Sequence, residues 1–216
     1  MIQKKIKEIR DSINKDIELV AVSKTKSKKE ILEAYNAGQK VFGENKIQEM
    51  TVKHEELPKD IKWHMVGHVQ SNKIKYMAPY VELVHGIDSL KSVKILNKEA
   101  KKNNRVIKCL LQLKISDEFT KFGLSKIEIE SILNSINILG LKNINVAGIM
   151  TIGSFTENMN VVIKEFEKSK KIFNELKITF PNLKILSMGM SNDYKIAIKH
   201  GSNMTRVGSL IFGKRI

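Results

Sequence analysis

The feature that most constrains this chain is a strict alternation of β-type and helical segments along its 216 residues. Eight short apolar runs read as strands, at 17–22, 41–42, 63–66, 81–85, 106–113, 144–151, 184–187 and 204–207. Helical stretches fall between them, at 27–37, from Asn45, and near 71–77, 89–103, 125–139, 159–178 and 191–200. Ser27-Lys28-Lys29-Glu30 and Ser125-Lys126-Ile127-Glu128 have the spacing of a capping box, and Gly38 is placed to stop the helix that Ser27 starts. In the longest helix Val162, Phe166, Phe173 and Leu176 keep close to helical spacing. Strands that alternate with helices pair in parallel, because parallel neighbours need a crossover connection. Eight such units in about 200 residues is the size of a minimal (β/α)8 barrel. Alternation alone also allows an open doubly wound sheet. Ahead of the first strand Ile2, Ile6, Ile9 and Ile13 line one helical face, predicting an extra N-terminal helix. No Pro/Gly/Ser-rich linker and no fixed-period repeat divides the chain, so a single (β/α)8 TIM-barrel domain over 1–216 is expected.

Charge limits the partners. Lys and Arg number 38 against 23 Asp and Glu, a formal net charge of +15. Such an excess attracts anions, but the lysines are spread along the chain and fall mostly at polar helix positions. Without an arginine-rich tail, an aromatic RNA-binding signature or zinc-finger spacing, the excess reads as a solvated basic surface, and no specific nucleic-acid binding is expected. Charges interrupt the N-terminal isoleucines, which argues against a signal peptide, and no run approaches the roughly 18 apolar residues of a membrane span. The one cysteine, Cys109, lies in an apolar run and reads as a buried structural thiol rather than a nucleophile, consistent with a reducing cytoplasm.

In a barrel the chemistry sits at the C-terminal strand ends. The strand assignments put Lys24, Gly43-Glu44-Asn45, Gly67, Met150-Thr151, Ser187 through Ser191, and Arg206 through Ser209 there. A lysine directly after a buried strand projects its amine into the barrel mouth, where partial desolvation favours condensation with a carbonyl. An ordinary surface lysine is the competing reading, since Lys26, Lys28 and Lys29 follow at once. Gly189 and Gly208, with the hydroxyls of Ser187, Ser191 and Ser209, form turns in which backbone amides can approach a phosphate. Arg206 interrupts an apolar strand. Facing a pyridine nitrogen, a permanently charged guanidinium donates a hydrogen bond and leaves the ring unprotonated; a surface or salt-bridged arginine is the alternative. His64 and His68, four apart on a strand, would stand about 13 Å apart, too far for one zinc ion. No metal is expected. A Gly-x-Ser-x-Gly elbow, a Walker-type loop and a Gly-x-Gly-x-x-Gly fingerprint are all missing from the sequence.

Taken in order, several segments match one family. They are Ala21-Val22-Ser23-Lys24-Thr25-Lys26, Phe42-Gly43-Glu44-Asn45 through Gln48-Glu49, and Trp63-His64-Met65-Val66-Gly67-His68-Val69-Gln70-Ser71-Asn72-Lys73. They continue with Lys121-Phe122-Gly123-Leu124, Gly148 to Ile152, Leu186 to Asp193, and Arg206 to Gly213. The chain resembles, from its first strand to its end, the pyridoxal 5′-phosphate (PLP) homeostasis proteins (YggS/PROSC), whose fold is that of the N-terminal barrel of alanine racemase. The resemblance implies that PLP is the cofactor and Lys24 its Schiff-base lysine. It places Arg206 at the pyridine nitrogen, puts Ser187, Gly208 and Ser209 in the phosphate-binding segments, and lines the cofactor with Asn45 and Met150. His64 lies in a matched segment as a further cofactor-site residue. Departures are mild: Ser27 stands where proline is usual, His68 where leucine is usual, and Thr120 where serine is frequent.

The resemblance further implies a cytoplasmic, monomeric carrier that supports vitamin B6 and amino-acid homeostasis, with PLP-dependent apoenzymes as candidate recipients. It implies no turnover of its own. A PLP-dependent amino-acid racemase of weak activity is the alternative. A two-base racemase needs a second acid/base opposite the lysine, which in alanine racemase comes from a further domain and the dimer partner, and no such domain is expected in this sequence.

Overall fold

The computed structural model describes residues 1–115 and 123–213. Eight parallel strands close into a barrel in sequence order: β1 (Glu18–Val22), β2 (Val41–Glu44), β3 (Lys62–Met65), β4 (Leu83–Ile87), β5 (Ile107–Leu113), β6 (Ile144–Thr151), β7 (Ile185–Ser187) and β8 (Met204–Val207). β1 pairs with β8, Val20 opposite Arg206, and this pairing closes the ring and excludes the open sheet. The helices are α1 (Ile2–Asp11), α2 (Lys28–Asn36), α3 (Ile47–Glu56), α4 (Ile74–Met77, after a 3-10 turn at Ser71–Lys73), α5 (Leu90–Lys102), α6 (Lys126–Ile138), α7 (Met159–Thr179), α8 (Tyr194–Lys199) and α9 (Ser209–Phe212).

Alternation along each strand divides the apolar residues between two cores. Leu19, Ala21, Phe42, Trp63 and Met65 point outward and pack under the helices. Val20, Val41, Leu83, Leu110, Ala147, Met150 and Met204 form a separate cluster that fills the barrel interior. The extra N-terminal helix is present. It buries Ile2, Ile6 and Ile9 on one face, and Glu33 of α2 accepts from the Met1 ammonium at 3.0 Å and from the Ile2 amide at 2.9 Å. In α7 the buried set includes Val162, Phe166, Phe173 and Leu176, as their spacing predicts.

Both capping boxes form. Ser27 accepts from the Glu30 amide while Glu30 reaches back to the Ser27 amide, and Ser125 and Glu128 do the same. Gly38 follows α2 with φ +89, a left-handed conformation that glycine adopts without strain. Several boundaries shift by one to three residues from expectation, and two of the shifts have a visible cause. β2 continues to Glu44 because its ladder with β3 runs from Val41↔Lys62 to Glu44↔Met65, so α3 starts at Ile47 rather than Asn45. Val81 is not in β4; its amide bonds back to the Met77 carbonyl at 2.9 Å and closes the turn after α4. Cys109 is buried, and burial pushes its thiol up to about 12, so it packs as a neutral apolar group. Among the described residues no helix is long and apolar enough to cross a membrane.

Candidate functional site

Because all eight strands run in parallel, their C-terminal ends share one face of the barrel. Lys24 lies two residues beyond β1, Asn45 one beyond β2, Gly189 two beyond β7 and Gly208 one beyond β8, while Ser209 opens α9. His64, Met150, Ser187 and Arg206 sit within their strands and are buried. The structure therefore brings the sequence-predicted residues to one end of one barrel. Met150 belongs to the apolar cluster that fills the interior and pairs with Ser187 across the β6–β7 ladder. Thr120, Lys121 and Phe122 lie outside the described residues.

Beside that apolar cluster runs a connected set of polar side chains. Arg206 donates from Nη1 to Ser187 Oγ at 2.7 Å and from Nη2 to the Thr151 carbonyl at 2.8 Å. Arginine can only donate, so the Ser187 hydroxyl accepts from it, and the same oxygen lies 3.3 Å from His85 Nδ1. His85 Nε2 is in turn 3.1 Å from His64 Nδ1. Burial disfavours the imidazolium form and lowers both histidines, His64 to about 3 and His85 well below its ordinary value. Each ring is therefore neutral at pH 7. A neutral imidazole donates from one nitrogen and accepts at the other, so where His85 accepts the Ser187 hydrogen at Nδ1 its own hydrogen points from Nε2 at His64 Nδ1. Arg206, Ser187, His85 and His64 form one connected chain. Burial also pulls Arg206 down to about 10, opposed by the Asp193 carboxylate, and the guanidinium stays charged at neutral pH.

Ser187 belongs to this set. Its hydroxyl is occupied by Arg206 and His85, at the arginine end of the site. The hydroxyl among the strand-seven and strand-eight turns is instead that of Ser191, whose Oγ accepts from the Gly208 amide at 3.1 Å and the Leu210 amide at 3.3 Å. Asp193 Oδ1 accepts from the Met190 amide at 2.5 Å and pins the same loop. Gly189 is required by packing: its φ is +93, and a Cβ there would come within 2.5 Å of Ala197 Cβ on α8. Its carbonyl accepts from the Arg206 amide at 3.0 Å, tying the loop to β8. Close approach also explains Gly67, where a Cβ would lie 2.5 Å from the Asn45 carbonyl oxygen.

Beyond β1, the strand paired with β8, Lys24 is half-buried between Ser23, which is buried, and Thr25, whose φ is +65. Ser23 Oγ donates to Glu44 Oε1 at 2.6 Å and the Thr25 amide donates to Glu49 Oε1 at 2.6 Å. His68 does not share a strand with His64. It lies beyond β3 in a loop and approaches Asp88 Oδ2 at 3.1 Å. Among the described residues no group of three or more His, Cys, Asp and Glu is arranged to hold a metal ion.

Sequence reasoning put Glu44 and Thr151 at the working strand ends without giving them a role, and it did not single out His85 or Lys53. His85 had a legible signal, a single imidazole in an apolar strand beside the His64 strand. Thr151 contributes through its backbone carbonyl, which no side-chain pattern announces.

Residues 1–215 match the family model described as alanine racemase, N-terminal domain. A curated relative in Aquifex aeolicus, named pyridoxal phosphate homeostasis protein, is 38% identical over 91% of this chain and 86% of its own length. PipY of Synechococcus elongatus, solved with PLP bound, superposes with a TM-score of 0.91 at 31% identity, covering 99% of this chain and 100% of PipY. An alanine racemase from Clostridium difficile shares the fold at a TM-score of 0.80, with 15% identity and 59% of its chain covered. By the matched model and by these relatives, the chain belongs to the alanine racemase N-terminal domain family, in the group formed by the pyridoxal phosphate homeostasis proteins.

Proposed function

We propose that this protein is a single-domain PLP-binding barrel that holds the cofactor on Lys24 as a Schiff base and serves intracellular vitamin B6 and amino-acid homeostasis, as a monomer in the cytoplasm, without a turnover reaction of its own. The observation that carries the reading is a buried, charged donor, Arg206 on β8, with a lysine just beyond the adjacent strand β1 at the same barrel mouth. The donor set suits the group. An aldehyde needs an amine, and Lys24 supplies one. A pyridine nitrogen needs a hydrogen-bond donor that will not surrender its proton, and Arg206 is one. A phosphate monoester needs amides and hydroxyls, which Gly208, Leu210 and Ser191 bring together.

When bound, PLP supplies an electrophilic aldehyde and an aromatic ring that can delocalise charge. Lys24 would hold that aldehyde through its amine. Arg206, fixed by Ser187 and the Thr151 carbonyl, would donate at the ring nitrogen and keep it unprotonated. The Ser191 hydroxyl and the turn after β8 would hold the phosphate, and Gly189 lets the β7 loop lie close against α8. Asn45, His64 and Met150 would line the cofactor. A ring kept unprotonated is a weaker electron sink, which favours holding the cofactor over processing an amino acid.

The relatives' names support the homeostasis reading. The name of the matched family model favours weak racemisation as the second reading. The purified protein should show a yellow absorption band with PLP, absent in Lys24→Ala, and borohydride reduction should fix pyridoxyl mass on the Lys24 peptide. An unchanged band in the variant sinks the assignment. Incubation with L- and D-alanine, followed by optical rotation, separates carrier from racemase.

A further inference from the structure

Glu49 and Lys53 stand one turn apart on α3, and both reach the turn that carries Lys24. Lys53 Nζ donates to Glu49 Oε1 at 2.7 Å, to Glu44 Oε1 at 2.8 Å and to the Ser23 carbonyl at 2.8 Å. Those three bonds use every hydrogen of the ammonium. The Ser23 hydroxyl shares the same Glu44 oxygen, and the Thr25 amide shares the same Glu49 oxygen. The residue before Lys24 is thus gripped by its hydroxyl and its carbonyl, and the residue after it by its amide.

Two features argue that this cluster does more than fill space. Thr25 is β-branched yet has φ +65, a conformation that persists only where surrounding contacts impose it. Burying Lys53 and Glu44 is also a poor route to stability, since apolar residues of similar size serve a sheet–helix interface as well or better. Glu44 Oε2 is moreover buried with no hydrogen-bond partner. An expensive polar cluster and a strained backbone meet at the same three residues, and the middle one is Lys24.

We propose, resting on the PLP reading above, that Glu49 and Lys53 are positioning residues for Lys24. They clamp the Ser23-Lys24-Thr25 turn from α3 and set the direction from which the lysine nitrogen approaches an aldehyde carbon. Neither touches the reacting atoms. The bond made is N to carbonyl carbon, the carbonyl oxygen leaves as water with the two amine hydrogens, and no oxidant or reductant is needed.

A ligand that lacks the aldehyde separates positioning from general damage. Glu49→Leu removes the acceptor of the Thr25 amide, whereas Glu49→Gln keeps a carbonyl oxygen there. In Glu49→Leu the rate of yellow-band formation with PLP should fall by about 10- to 100-fold, while affinity for 4′-deoxypyridoxine 5′-phosphate stays within about twofold. Glu49→Gln should restore most of the rate. Equal losses for the two ligands, or an unchanged rate, overturn the proposal. Hydrogen exchange at the Thr25 amide in the ligand-free protein tests the clamp separately. It should be slower in the wild type than in Glu49→Leu, and equal exchange overturns the clamp whatever the ligand result. A wild-type chain that forms no adduct on Lys24 overturns the PLP reading instead, and is recognised by an amide that remains protected.

Discussion

His64 Nδ1 lies 3.1 Å from His85 Nε2 inside the barrel, and one of the two nitrogens carries the hydrogen between them. A Ser187 hydroxyl that donates to His85 Nδ1 makes His85 the Nε2–H tautomer, with His64 accepting. Long-range proton–nitrogen NMR should show both rings neutral at pH 7 and His85 Nδ1 as an unprotonated acceptor. A protonated His85 Nδ1 would contradict the chain of donors.

The same pair makes stability depend on pH. Both rings titrate below the ordinary histidine value in the folded protein, His64 at about 3, because burial disfavours the charged form. The unfolded chain therefore binds more protons as pH falls below about 6.5, and stability drops with it down to the folded values. Each ring should contribute a slope approaching about 1.4 kcal/mol per pH unit at the acidic end of that window. Urea midpoints at pH 7 and pH 5 check the sign, before most carboxylates titrate. His85→Leu should flatten the slope.

Arg206 holds its place through two bonds to buried acceptors, and its planar fork matters as much as its charge. Arg206→Lys keeps a cation but cannot reach Ser187 and the Thr151 carbonyl in the same geometry. A loss of about 1.5–3 kcal/mol in unfolding free energy is expected from the missing charged hydrogen bonds. PLP affinity should fall by about tenfold or more on absorption titration. Full retention of affinity in the lysine variant would remove Arg206 from the ring nitrogen.

Ser191 Oγ gathers the Gly208 and Leu210 amides. Ser191→Ala should lower the preference for PLP over phosphate-free pyridoxal by about tenfold, the worth of one hydrogen bond to a charged group. Competition binding with the two ligands gives the ratio. A ratio that does not move puts the phosphate elsewhere.

Lys53 and Glu44 form a buried pair, so removing one partner strands the other. Lys53→Met should destabilise the fold by about 3–5 kcal/mol in denaturant unfolding. Adding Glu44→Met to that variant should recover most of the loss, because the remaining charge has gone. A double variant no more stable than the single one would mean that the pair, not the stranded carboxylate, supplies the stability.

The barrel was legible in the sequence because its signals are local. Strand and helix periodicity, the capping residues Ser27 and Ser125 and the stop at Gly38 each act within a few residues, and eight alternating units leave few architectures open. Closure was not local: it rests on Val20 meeting Arg206 across the β1–β8 seam. Parallelism and the strand ends likewise put Lys24, Arg206 and the serine-glycine turns on one face before any coordinates. What the sequence by itself could not determine is which atoms meet. Ser187 and Ser191 are equivalent in a pattern of hydroxyls, yet one bonds Arg206 and His85 while the other bonds two amides. His85, Glu44 and Lys53 look like ordinary strand and helix residues until the barrel closes. The reason is physical: hydrogen bonds are decided by direction and distance across elements far apart in sequence, and only the packed tertiary structure fixes those.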